Sequence, residues 1–97
     1  MHTLAAELGP HGVRVIGLWT AGVRETLSPE KFAAVNHTMV MDDASFQQVL
    51  QGIAGMTMLR RAPALAQVAD TAAFLASDRA SGITGTIVNV TCGMVAR

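Results

Sequence analysis

The chain has no tyrosine at all, one lysine, one tryptophan and one cysteine among its 97 residues, and charged side chains make up only 14% of it. Each scarcity removes a class of function. A single cysteine cannot build an internal disulfide framework, so a disulfide-stapled scaffold is excluded and a reducing, cytoplasmic setting is the default expectation. Seven Lys and Arg balance seven Asp and Glu, leaving no basic field to hold a phosphate backbone; nucleic-acid binding gets no support. Uninterrupted apolar runs are only a few residues long, far below the ~20 needed to span a bilayer, so no membrane association is expected.

What is abundant is apolar surface, at 51% of residues. A chain of 97 residues buries only about 64% of its unfolded surface by size scaling. The surplus is expected to face a partner.

Met1–Leu8 places Leu4, Ala5 and Leu8 at helical spacing and should end at Gly9-Pro10. Val13–Trp19 is β-rich and apolar on both faces apart from Arg14 and Gly17, as in a parallel strand covered on two sides. Ser28-Pro29-Glu30 reads as a helix start, with Phe32, Val35 and Met39 on one face, and Asp43 can cap a second helix carrying Phe46, Val49, Leu50 and Ile53. Pro63 opens the clearest helix, striped by Leu65, Val68, Ala69, Ala72, Leu75 and Ala76, with Gln67 and Asp70 outside the stripe. Phe74 lies opposite that stripe, as a lone exposed ring or as a contact with another chain. Ser81–Gly85 is a turn, and Thr86–Val90 a second strand.

This order predicts an α/β fold: a partial, Rossmann-like βαβ unit of two parallel strands with helices. Residues 1–97 form a single segment. A two-stranded sheet is not stable by itself, and the outer edge of Val13–Trp19 would offer unpaired amides to another chain. Completion by self-association is therefore expected, with a dimer favoured.

Chemistry-bearing residues are sparse. His2, His11 and His37 have no i, i+4 partner and no nearby Cys or Asp at ligand spacing, so no metal site is expected. Cys92 has no identifiable base and reads as inert. Met39, Met41, Met56 and Met58 cluster around the loop helices, as adaptable packing or as a substrate lid.

Leu-Ala-Ala-Glu-Leu-Gly-Pro-His-Gly-Val-Arg-Val (4–15), the Gly22 to Thr26 loop, Leu-Arg-Arg (59–61), Gln-Val-Ala-Asp-Thr-Ala-Ala-Phe-Leu-Ala-Ser-Asp (67–78) and Ile-Thr-Gly-Thr-Ile-Val-Asn-Val (83–90) together resemble the C-terminal part of short-chain dehydrogenases/reductases. The resemblance covers essentially the whole chain, in the family's own order. It implies a Rossmann-type architecture that, in the full family, transfers hydride between NAD(P) and a carbonyl or alcohol carbon. Residues 1–9 would be the end of the helix that follows the catalytic Tyr-x-x-x-Lys, 28–55 the substrate-loop helices, 64–77 the last helix and 86–90 the last strand.

The same resemblance defines what is missing. There is no Gly-rich turn to seat a pyrophosphate on a helix N-terminus and no Tyr/Lys pair to donate a proton to the developing alkoxide. Lys31 reads as a solvated charge. No catalytic residue can be assigned, and the isolated chain is expected to hold no cofactor. The resemblance implies one vestigial cofactor-facing element, the loop Thr20–Thr26, in which Ala21 stands where the family has proline and Val23 and Thr26 occupy the nicotinamide-binding positions. The expectation is a truncated NAD(P)-dependent oxidoreductase, inactive alone and homo-oligomeric. The alternative is the C-terminal half of a split or start-misassigned reductase that acts beside a separate N-terminal half.

Overall fold

The computed structural model describes residues 1–28, 30 and 42–94. Helix α1 (His2–Leu8) leads into strand β1 (Ile16–Thr20), helix α2 (Asp43–Gly55), helix α3 (Leu65–Ala76) and strand β2 (Thr86–Val90). The two strands pair in parallel, from Ile16 opposite Thr86 to Thr20 opposite Val90. The parallel βαβ reading therefore holds. The expected helix over Phe32, Val35 and Met39, together with Pro29, Lys31, His37 and Met41, lies outside the described residues.

Several boundaries differ from the sequence reading, each for a local reason. Gly9-Pro10 does not stop the chain: a 3₁₀ turn runs through Gly9–His11 and the reversal comes at Gly12, at φ 75°. Proline is tolerated in that first turn because its missing N–H would have no partner there. The first strand begins at Ile16 and not at Val13. The Val13 N–H bonds back to Leu8 O (3.3 Å), and the Val15 N–H donates to Thr84 Oγ1 (3.0 Å), so neither amide is available to the ladder. Asp42, not Asp43, caps α2, its carboxylate accepting from the Ser45 N–H at 2.7 Å; Asp43 becomes the first helical residue, with its charge at the positive end of the helix dipole.

Helices lie on both faces of the strand pair. On one face Gly17 sits opposite Ile87, and a Cβ at Gly17 would come within 3.2 Å of Ile87 Cγ1 and 3.7 Å of Met1 Sδ; α1 covers this side. On the other, Ile16 and Leu18 face Ala72, Leu75 and Ala76 of α3 across a cavity of about 550 Å³. Arg14, which looked like an interruption in an apolar run, closes this end: Nη1 donates to Leu75 O (2.8 Å) and Nη2 to Ser77 O (3.2 Å). A cation there satisfies carbonyls that the end of α3 would otherwise leave open and complements the negative end of its dipole.

The two-sided cover is thin, which corrects the expectation of a fully buried strand. Ala5, Pro63, Leu75 and Ala80 are the buried apolar residues among those described, while Leu18, Ile87 and Phe74 are 36%, 47% and 46% exposed. The chain exposes 6538 Å², against roughly 5,300 Å² for a compact monomer of its mass.

Candidate functional site

In a parallel α/β sheet the carboxyl ends of the strands are where loops can converge on a ligand. Here the loop after β1, the segment after β2 and the strap joining α2 to α3 meet at that end.

The loop after β1 turns at Gly22 (φ 63°). A side chain there would press on Ile53 of α2 (3.1 Å) and Met94 (3.3 Å), so glycine is required both by the backbone conformation and by the close approach. Val23 and Thr26, the two residues singled out from sequence, are brought together by the 3₁₀ turn Arg24–Thr26. The Val23 carbonyl accepts from the Thr26 hydroxyl (2.8 Å) and from the Thr26 N–H (3.1 Å). The hydroxyl proton is thereby committed to the backbone, leaving the Oγ1 lone pairs as acceptors.

Two further bonds tie this turn to α3. The Arg24 N–H donates to Pro63 O at 2.9 Å. The Glu25 carboxylate accepts from the Leu65 N–H, the first amide of α3. Arg24 Nε also approaches Glu25 Oε1 at 3.3 Å. The Leu65 amide, followed by the hydrogen bond from Arg24, holds the Glu25 carboxyl below its ordinary value despite an opposing desolvation effect.

The strap 56–64 is docked on the exit of β2. The Met58 and Leu59 N–H groups donate to Gly93 O (3.3 Å) and Cys92 O (3.0 Å). Buried Thr57 closes its own turn, its one hydroxyl proton shared between Ala54 O and Arg61 O (both 3.0 Å) while its oxygen accepts from the Arg61 N–H (2.9 Å). Gln67, outside the apolar stripe of α3, accepts through Oε1 from the Ala64 N–H and from Arg61 Nη1 (both 2.9 Å). Thr91, 0% exposed, donates to Asn89 Oδ1 (2.6 Å) and accepts from the Met94 N–H (3.1 Å). Met58, Leu59, Arg61, Asn89 and Cys92 border a cavity of about 420 Å³. Cys92 adopts φ 56° and serves as a backbone corner.

No group of three or more His, Cys, Asp or Glu residues that could hold a metal occurs among the described residues. His2 and His11 belong to α1 and its following turn, at the amino side of β1. No described helix is long and apolar enough to cross a membrane.

A family model described as "Enoyl-(Acyl carrier protein) reductase" matches residues 1–95. The chain belongs to that family of short-chain dehydrogenases/reductases. It is 37% identical over 90 residues to the enoyl-[acyl-carrier-protein] reductase [NADH] FabI of Synechocystis, covering 93% of this chain and 30% of that protein. The Haemophilus influenzae FabI matches at the same identity and coverage. A crystal structure of the Bacillus cereus enoyl-acyl carrier protein reductase with NADP⁺ and indole naphthyridinone superposes with a TM-score of 0.68 at 36% identity, covering 95% of this chain and 31% of that one. L-sorbose reductase from Gluconobacter frateurii, at 23% identity and a TM-score of 0.76, shares the fold. The chain thus spans about 30% of the length of these curated relatives.

Sequence reasoning singled out Val23 and Thr26, which the 3₁₀ turn joins, and passed over Glu25, Arg14 and the Asn89–Thr91 pair. One signal for Glu25 was present. Ala64 precedes α3 without a capping side chain, and a helix start that cannot cap itself needs an acceptor from elsewhere.

Proposed function

We propose that this chain is the carboxyl-terminal part of an NAD(P)-dependent reductase, supplying the nicotinamide side of the cofactor site while the proton donor and the pyrophosphate seat come from outside its 97 residues. The observation that carries this reading is the Val23–Thr26 turn, held at the carboxyl end of β1 inside a chain of the reductase family. The turn fits the carboxamide end of a nicotinamide: a small, backbone-rich surface with an oriented hydroxyl oxygen that can accept from an amide N–H₂. The pyrophosphate end has no match, because the sequence contains no G-x-G-x-x-G run. A bound nicotinamide would supply the hydride. This chain's own part is to hold one side of the ring through Val23 and Thr26, and to exclude water there with Ile53 and Met94, which pack beside Gly22.

With no tyrosine and Lys31 as its one lysine, the chain has no Tyr/Lys pair and is inactive alone. Catalysis needs a front half carrying one. The names of the relatives make an α,β-unsaturated acyl thioester the first substrate to test, followed by ketones and alcohols. The exposed apolar groups Phe74, Ile87 and Leu18 favour a homodimer as the resting state. The second reading, one half of a two-chain reductase, draws on β1, whose pairing with β2 leaves its other edge open among the described residues. The deciding experiment follows NADH oxidation with a short enoyl thioester, by the chain alone and mixed with a polypeptide corresponding to the first two-thirds of the Bacillus cereus relative. Turnover only in the mixture supports the proposal; turnover by the chain alone refutes it.

A further inference from the structure

We infer that Glu25 is a positioning residue, a latch that fixes the Val23–Thr26 turn by capping the amino end of α3 from 40 positions upstream. The inference rests on the nicotinamide-side reading only for its consequence, since the latch itself is a property of the fold.

The helix start and the turn each have an unmet need. Helix α3 starts after Ala64, whose methyl group cannot accept a hydrogen bond, so the first amides of the helix depend on borrowed oxygens. Gln67 reaches back to the Ala64 N–H at 2.9 Å but leaves the next amide, Leu65. The turn 24–26, for its part, is a single 3₁₀ turn with an exposed surface, and one such turn has little stability of its own. Glu25 answers both needs. Its carboxylate takes the Leu65 N–H at the positive end of a helix of 12 residues, where a negative charge is favoured.

The attachment cannot pivot, because the neighbouring Arg24 N–H is bonded to Pro63 O at 2.9 Å. Two anchors, on consecutive residues of the turn and two positions apart at the helix start, define both its location and its orientation. Thr26 follows directly and closes onto Val23 O through its N–H and its hydroxyl. Moving Glu25 off the helix therefore moves the atoms proposed to meet the carboxamide. The charge beside it is Arg24 on the same turn, whose Nε lies 3.3 Å from Glu25 Oε1.

Amide hydrogen exchange and ¹⁵N chemical shifts of the full chain test the latch without any cofactor. Glu25→Ala is expected to speed exchange at Leu65, Arg24 and Thr26 about tenfold, the scale of losing one hydrogen bond to a charged group, while Leu18 and Val88 in the strands keep their protection. Glu25→Gln, which retains an acceptor oxygen, is expected to restore most of it. In the wild type the Leu65 and Thr26 amides should titrate together, with a midpoint below the ordinary carboxylate range. Loss at Leu65 with Thr26 unchanged would reduce Glu25 to a helix cap and overturn the inference. So would separate titration of the two amides, a result that remains readable if Glu25→Ala fails to fold. Adding NADH to the chain joined by the front half then separates the two ideas. A Kd raised about tenfold by Glu25→Ala carries the latch through to the cofactor. Wild-type protein whose latch passes the exchange test but whose Val23 and Thr26 ignore NADH refutes the nicotinamide reading and leaves the latch standing.

Discussion

The corner at the carboxyl ends of the strands and the flanks of the strand pair are built on opposite terms. At the corner nearly every polar group has a stated partner: Thr91 with Asn89 and Met94, Thr57 with Ala54 and Arg61, Glu25 with Leu65, and Thr26 with Val23. On the flanks the side chains are apolar and only partly covered, with Leu18, Phe74 and Ile87 all more than a third exposed. Satisfied polar groups specify local geometry but add little net stability, whereas apolar burial supplies most of what holds a domain together. The corner is therefore the part of the molecule with a defined shape, and the flanks are the part that the proposed homodimer would cover.

The sharpest way to break the corner is Gly93→Ala. The residue sits at φ 84°, and a new Cβ would lie 2.6 Å from Met58 Cβ and 3.1 Å from Met58 N. Backbone strain and the clash together should cost about 2–4 kcal/mol, read as a drop in the urea midpoint. Thr91→Val should follow, at about 1 kcal/mol, because it removes the hydroxyl's bonds to Asn89 Oδ1 and from the Met94 N–H and leaves those two groups only the Thr91 backbone N–H (3.1 Å) and carbonyl (3.2 Å).

The flanks respond to a different variant. Phe74→Asp should weaken self-association by about tenfold or more in sedimentation experiments, the scale of withdrawing one aromatic side chain from an interface. A dimer indifferent to it would place the interface elsewhere. Acid should act on the corner and the loop helix together. Asp42 is held below its ordinary value chiefly by the Ser45 N–H, and Glu25 by the Leu65 N–H. Depressed folded values mean that their stabilisation is present above about pH 4 and is lost as the pH falls below it. Asp42→Asn, which still caps, should flatten part of that dependence. The smallest effect is a gain: a Cβ at Gly52, within α2, meets nothing within 4 Å, so Gly52→Ala should stabilise by about 0.5–1 kcal/mol.

The regular elements were legible because their signals are local. Strand β2 falls on Thr86–Val90 as its β-branched run suggests, and α2 carries Phe46, Val49, Leu50 and Ile53 at the spacing that marks it. Of two misreadings, one came from a nearby backbone bond and one from a distant one. Val13 reads as strand from its side chain, but its amide is spent on Leu8. Arg14 reads as an interruption until Leu75, 61 residues away, supplies the carbonyl that explains it. The candidate site divides in the same manner. Val23 and Thr26 were singled out through family resemblance, and Glu25 between them was passed over because its partner is 40 residues distant. No residue periodicity encodes a bond of that separation.

The central claim is that this chain carries one side of a nicotinamide site and needs a front half to use it. Energy transfer from the single tryptophan, Trp19 in β1, to NADH measures that directly. The account predicts no saturable transfer with the chain alone, and saturable transfer that depends on Thr26 once a Gly-rich, Tyr/Lys-bearing front half is supplied. Saturable binding by the unaccompanied chain would contradict it, as would binding in the mixture that Thr26→Val leaves unchanged.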